Sequence, residues 1–143
     1  MIYLDSSAVL KLLVREPETA GLDAWLEERA DDTWVTSELT LVEVGRAVRR
    51  LDEDLLPSAR ALLGDVDLVR LSPAVVRDAQ DVRPPVLRTL DALHLASALR
   101  VRSELVALLT YDDRLFAAAE VAGLPAVAPG RTQPPGSAAG PTS

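Results

Sequence analysis

The 143-residue sequence contains no cysteine, one histidine and one lysine. Without cysteine it can build neither a disulfide framework nor a thiolate metal site, and a single histidine removes the usual His-rich zinc centre. Aromatic residues make up 3% of the chain, which leaves little for stacking unpaired bases. No uninterrupted apolar run approaches the ~20 residues that span a bilayer. The opening run has no basic-then-apolar leader, so a cytoplasmic protein with no membrane segment or secretory signal is expected. The phosphate loop G-x-x-x-x-G-K-[ST], the dinucleotide fingerprint G-x-G-x-x-G and the nucleophile elbow G-x-S-x-G are all absent. A net charge of -7 argues against binding nucleic acid by blanket phosphate neutralisation. It leaves room for a protein that meets phosphate through bound metal ions and a few local arginines. Lys11 is the only lysine among 15 basic residues, a bias that genome composition explains as well as function does.

What is present is a core-forming chain. Hydrophobic residues reach 48%, and this length buries about two-thirds of the unfolded surface in one domain. Residues 129–143 hold four of the ten prolines and three of the seven glycines, so 1–128 are expected to form the domain and 129–143 a disordered Pro/Gly-rich tail. Strands are expected over 2–5, 33–36, 67–70, 105–109 and 125–127. Helices are expected over 7–14, 18–30, 38–51, 57–64, 74–82, 90–101 and 113–122. Ser37 and Thr89 suit helix N-caps, and Gly64 and Gly123 suit helix ends. Strands separated by helices of this length imply an α/β fold, a three-layer sandwich with a central, mostly parallel sheet flanked by helices.

Four acidic residues stand in apolar or small-residue settings: Asp5 after Met1-Ile2-Tyr3-Leu4, Glu43 in Thr40-Leu41-Val42-Glu43-Val44, Asp91 in Leu90-Asp91-Ala92-Leu93-His94, and Asp112 after Leu108-Leu109-Thr110-Tyr111. Carboxylates leave water reluctantly, and a divalent metal is the natural partner for several of them. Asp5 and Asp112 close predicted strands, at the sheet edge where ligands bind. Capping of the following helix accounts for either one alone, and capping can coexist with metal binding because a carboxylate has two oxygens. Asp91 opens a helix that is apolar on nearly every side and therefore buried. Favourable alignment with the helix dipole or pairing with Arg88 competes there with metal ligation. Glu43 is the weakest of the four. It falls off the apolar stripe Leu41, Val44, Val48, Leu51, and a solvated Glu beside Arg46 at i+3 is its default account. The residues alone do not select it over Glu38. His94, one turn after Asp91, suits a core or supporting histidine better than a general base. Ser6, Ser7 and Thr110 can orient carboxylates or serve as caps, and Asp113 suits the first turn of a helix.

In their order and spacing, Ile2-Tyr3-Leu4-Asp5-Ser6-Ser7-Ala8, Glu43 in Ser37–Glu43, Arg88-Thr89-Leu90-Asp91-Ala92-Leu93-His94-Leu95-Ala96 and Thr110-Tyr111-Asp112-Asp113-Arg114-Leu115 resemble the PIN domain, specifically the VapC toxins of bacterial and archaeal toxin–antitoxin pairs. The resemblance spans roughly residues 1–127. It implies an endoribonuclease using Mg²⁺ or Mn²⁺, with Asp5, Glu43, Asp91 and Asp112 as the catalytic acids. Asp5 and Asp91 would be the direct metal ligands. It also implies an RNA substrate, a homodimer and a VapB-like antitoxin. Arg15, Arg46, Arg49, Arg50, Arg88 and Arg114 are candidates for guiding the RNA backbone. Two other possibilities stand beside it. One is a PIN-fold module that binds RNA or protein without cutting, which would not require all four acids. The other is a phosphatase or phosphoacceptor domain, disfavoured because no Asp-x-Asp follows the first strand.

Overall fold

The computed structural model describes residues 1–132, so positions 133–143 of the expected tail lie outside the described residues. Chain order is β1 (Ile2–Leu4), α1 (Ser6–Leu13), α2 (Thr19–Glu27), β2 (Trp34–Ser37) and α3 (Glu38–Leu51). A single 3-10 turn, Glu53–Leu55, leads into α4 (Leu56–Gly64), β3 (Asp67–Val69) and α5 (Pro73–Asp81). The chain ends with α6 (Thr89–Arg100), β4 (Ala107–Leu109), α7 (Asp113–Val121) and β5 (Ala126–Val127). Among the described residues no helix is long and apolar enough to cross a membrane.

The five strands form one sheet in the order β3-β2-β1-β4-β5, and every pairing is parallel. β1 is central, with Ile2 opposite Trp34 on one side and Ala107 on the other. From β1 the chain moves outward to β2 and β3, then returns to lay β4 and β5 on the opposite flank. The order reverses between β1 and β4, and the crevice outside the carboxyl ends of such strands is where open parallel sheets bind ligands.

Alternation along β1 divides the core. Ile2 and Leu4 face one layer, where Ala8 and Val9 of α1, Leu22 of α2, Val44 and Val48 of α3 and Leu63 of α4 pack. Tyr3 faces the other, with Leu95 and Ala98 of α6 and Leu115 and Ala119 of α7. α5 packs on α6 in this second layer. The result is the expected three-layer α/β sandwich with a wholly parallel sheet.

Helix starts follow local chemistry. Ser37 caps α3 through the Leu39 amide, while Arg49 and Arg50 in its last turn complement the helix dipole. Thr89 is not a cap. Arg88 occupies that position without a side-chain bond, and Thr89 is the first helical residue. Gly64 is the last residue of α4, and Gly123 follows α7 in the left-handed region at φ 77°, where glycine has no Cβ to clash.

Residues 129–131 pack against the rest of the chain. The Tyr111 hydroxyl donates to the Pro129 carbonyl at 2.7 Å, and Arg131 pairs with Asp113 and the Tyr111 carbonyl. Gly130, at φ 81°, lies so close to Glu18 and Gly21 that a Cβ on either glycine would collide with backbone.

Candidate functional site

Asp5 leaves β1 at the point where the strand order reverses. Its backbone is extended while its side chain caps α1. It is 3% exposed and each oxygen has a fixed partner. Oδ1 accepts from Ser7 Oγ at 2.7 Å and the Ala8 amide at 2.9 Å, and Oδ2 accepts from Thr110 Oγ1 at 2.6 Å. Thr110 is fully buried at the end of β4, and the Asp112 amide donates to its hydroxyl at 3.1 Å. One threonine hydroxyl therefore ties the two strand ends together. Burial, only partly offset by these hydrogen bonds, lifts the Asp5 carboxyl above its ordinary pKa.

Asp112 caps α7 as anticipated. The Arg114 and Leu115 amides both donate to Oδ1 at 2.9 Å, so Oδ2 takes no part in the cap. Asp113 is exposed in the first turn of α7 and pairs with Arg131. Asp91, in the first turn of α6, is half-buried. Its pKa is raised by burial first and the Asp112 charge next, with Asp5 adding to the effect, while His94 and Arg88 oppose it. Asp91 thus lies within reach of the charges of Asp112 and Asp5.

Glu43 also reaches this region, and the solvated pairing with Arg46 does not form. The buried line of α3 runs through Thr40, Val44 and Val48, while Leu41 and Leu51 are 39% and 66% exposed. At 3.6 residues per turn Glu43 sits about 60° from Thr40, on the flank of that buried line, and Leu51 is the last residue of the helix. Ser6 Oγ donates to Glu43 Oε1 at 2.7 Å, and His94 Nε2 lies 2.6 Å from the same oxygen. Burial pushes the Glu43 carboxyl up, but the bonds from His94 and Ser6 outweigh it and the pKa lies below its ordinary value. Glu38, the rival from the sequence, instead accepts the Leu71 amide at 3.0 Å and fastens the segment between β3 and α5.

His94 is buried, with Nδ1 2.8 Å from the Tyr3 hydroxyl. Tyr3 escaped the sequence reading. The available signal was a lone hydroxyl on the strand face opposite Ile2 and Leu4, toward the helix that carries His94. Arg15, Arg46, Arg49, Arg50, Arg88 and Arg114 are all exposed, and Arg49 is paired with Glu53 at 3.6 Å. A groove of about 460 Å³ between α3 and α4, lined by Leu41, Leu56, Leu63, Leu68, Arg49 and Arg60, contains none of the four acids.

The donors at the sheet edge are all hard oxygens, which suit Mg²⁺ or Mn²⁺ and not a thiophilic metal. Among the described residues no group of three or more His, Asp or Glu side chains is placed to hold a metal ion. A small divalent ion that keeps several waters and uses one or two carboxylates fits such a set. The Asp112 and Asp5 charges that raise Asp91 are the charge such an ion would neutralise.

The PIN domain family profile matches residues 2–121. The chain is 43% identical over 136 residues to Ribonuclease VapC35 of Mycobacterium tuberculosis, covering 93% of this chain and 100% of the relative. It is 44% identical over 128 residues to Ribonuclease VapC46 of the same species, covering 90% and 97%. Among solved structures it is similar to VapBC2 from Rickettsia felis bound to a promoter DNA fragment, with a TM-score of 0.69 at 17% identity over 90% of this chain and 99% of that one. It is also similar to Mycobacterium tuberculosis VapC20, described as a sarcin-ricin loop cleaving toxin, with a TM-score of 0.66 at 17% identity over 90% and 100%. An acid-lined switch point on a parallel sheet and near-full-length likeness to these relatives agree: the chain belongs to the PIN domain family, in its VapC branch.

Proposed function

We propose that this chain is the toxic component of a toxin–antitoxin pair, an endoribonuclease that hydrolyses RNA phosphodiester bonds through Asp5, Glu43, Asp91 and Asp112 with Mg²⁺ or Mn²⁺. What supports the proposal is that Asp5 and Asp112 stand just past the carboxyl ends of the neighbouring strands β1 and β4, and that the charges of both raise the pKa of Asp91. Asp5 and Asp91 would hold the ion, which when bound supplies charge neutralisation at the phosphate and a more acidic water.

The residues divide the remaining work. Asp5 is locked by Ser7, Ala8 and Thr110 and gives the site a fixed origin. Asp112 caps α7 with Oδ1 and keeps Oδ2 for the site. Glu43, held at Oε1 by Ser6 and His94, orients the attacking water. The exposed arginines Arg88 and Arg114, at the starts of the helices carrying Asp91 and following Asp112, steer the RNA backbone. The partners are an RNA substrate, a second copy in a homodimer and a VapB-like antitoxin, in the cytoplasm. A net charge of -7 suits a basic antitoxin segment.

The test is cleavage of total cellular RNA by the purified chain with Mg²⁺, Mn²⁺ or EDTA, beside Asp5→Asn and Asp91→Asn, with cut ends mapped by sequencing. Discrete cuts that vanish with EDTA and with either substitution are expected. Folded, metal-supplied protein that leaves RNA intact would overturn the proposal and favour a binding module.

A further inference from the structure

We infer that Tyr3 and His94 are positioning residues for Glu43: they form a buried hydrogen-bonded chain that fixes the carboxylate through Oε1 and leaves Oε2 as its working oxygen. The inference rests on the role proposed for Glu43 and adds how the fold sets that role.

The chain links three elements that are distant in sequence. Tyr3 is the middle residue of β1 and is fully buried against the α6 layer. His94 of α6 is 3% exposed and meets the Tyr3 ring edge-on, with centroids 6.1 Å apart and planes at 82°. The Tyr3 hydroxyl lies 2.8 Å from Nδ1, and Nε2 lies 2.6 Å from Glu43 Oε1. Ser6 Oγ, on the first residue of α1, donates to that same oxygen at 2.7 Å and stands 3.5 Å from Nε2.

Proton bookkeeping gives the chain a direction. A phenol hydroxyl carries its proton at neutral pH, and the Tyr3 hydroxyl lies at hydrogen-bond distance from Nδ1. It donates that proton to Nδ1, which places the ring proton on Nε2, facing the carboxylate. Glu43 Oε1 then accepts from two donors on different elements, and its plane is fixed. A histidine that only filled the core would end its bonds inside the core. This one ends on a half-buried carboxylate beside Ser6, the neighbour of Asp5.

His94 is the only histidine in the sequence, so ¹⁵N NMR of the untagged full chain reads its ring directly. At neutral pH the proton is expected on Nε2 with Nδ1 bare, and Tyr3→Phe is expected to broaden or mix the tautomers. A proton on Nδ1 in the unsubstituted protein would overturn the inference. This arm needs no RNA cleavage, so it separates the geometry from the activity.

The kinetic arm uses cleavage of RNA. His94→Leu is expected to lower kcat about tenfold to a hundredfold with KM unchanged, the usual effect of removing an orienting partner. Tyr3→Phe should lower it about fivefold, one hydrogen bond's worth. His94→Gln, which keeps an amide donor, should recover part of the loss and guards against misfolding of the leucine variant. In a Glu43→Ala background His94→Leu should cost nothing further, whereas a purely structural role would add its loss there. Unsubstituted kcat in both Tyr3→Phe and His94→Leu, while Glu43→Ala is impaired, overturns this inference and leaves the proposed function standing. Unimpaired Glu43→Ala removes the proposed role of Glu43, and this inference with it.

Discussion

Two corners of the acidic edge hold their carboxylates by different means. At the β1/β4 corner, Asp5 and Asp112 are fixed by the backbone amides of the helices they begin and by Thr110 between them. At the opposite corner, Glu43 sits in the interior of α3 and is fixed only by side chains from α1 and α6. Backbone capping is local and rigid, because the strand end and the following helix set both donor and acceptor. Side-chain fixing is non-local, and it exists only when three elements have docked. The first corner is built like a hinge pin, the second like a keystone.

The largest expected effect separates the corners chemically. Asp5→Asn should reduce RNA cleavage by at least about a hundredfold because it removes charge at a position proposed to hold the ion. Its thermal midpoint should also fall, because Asn keeps the cap but its amide nitrogen cannot accept the buried Thr110 hydroxyl. Glu43→Gln keeps an acceptor for Ser6 and His94 and should lose less, about tenfold to a hundredfold. Cleavage rates beside thermal melts check both, and equal losses would erase the distinction between the corners.

A second contrast concerns stability. Thr110→Val removes a fully buried hydroxyl that donates to Asp5 and accepts the Asp112 amide, and should cost about 1–3 kcal/mol. Ser6→Ala, at the half-buried Glu43, should cost about 0.5–1 kcal/mol. Urea denaturation of both proteins measures the difference, and the reverse order would break the comparison.

Next comes the response to pH. The Asp5 and Asp91 carboxyls are raised from 3.8, so the folded protein holds protons that the unfolded chain has released. Without metal, these two groups should make stability fall as pH rises from about that value through their folded pKa values. Glu43 is lowered from 4.5 and acts oppositely, losing its contribution as pH falls through its folded pKa. Added Mg²⁺ or Mn²⁺ should therefore raise the melting temperature more at neutral than at acid pH. Scanning calorimetry at several pH values checks the sign, and no metal-dependent shift at neutral pH would count against ion binding at the aspartate corner. The smallest effect lies outside both corners, where Arg49→Ala breaks an exposed pair with Glu53 and should change stability by less than about 0.5 kcal/mol.

The two corners also differ in how far the sequence discloses them. Asp5 and Asp112 follow apolar strand runs and precede helices, so their caps can be read from neighbours a few residues away. The elements themselves were found to within a few residues for the same reason. Glu43 could not be derived that way. It borders the buried Thr40, which a count of apolar residues ignores, and its partners lie 37 and 51 positions away. Family resemblance supplied what local pattern lacked. The fastening of Pro129–Arg131 onto Tyr111 was hidden because proline and glycine density signals a loose tail, while Gly130 serves to let two backbones touch.

The strand order also bears on when the edge can exist. Asp5 and Thr110 are 105 positions apart, and β4 follows β1, β2 and β3 along the chain. During synthesis the ribosome therefore releases β1, β2 and β3 before the residues that complete the acidic edge. An edge that needs both Asp5 and Thr110 is incomplete on a chain released only as far as β3.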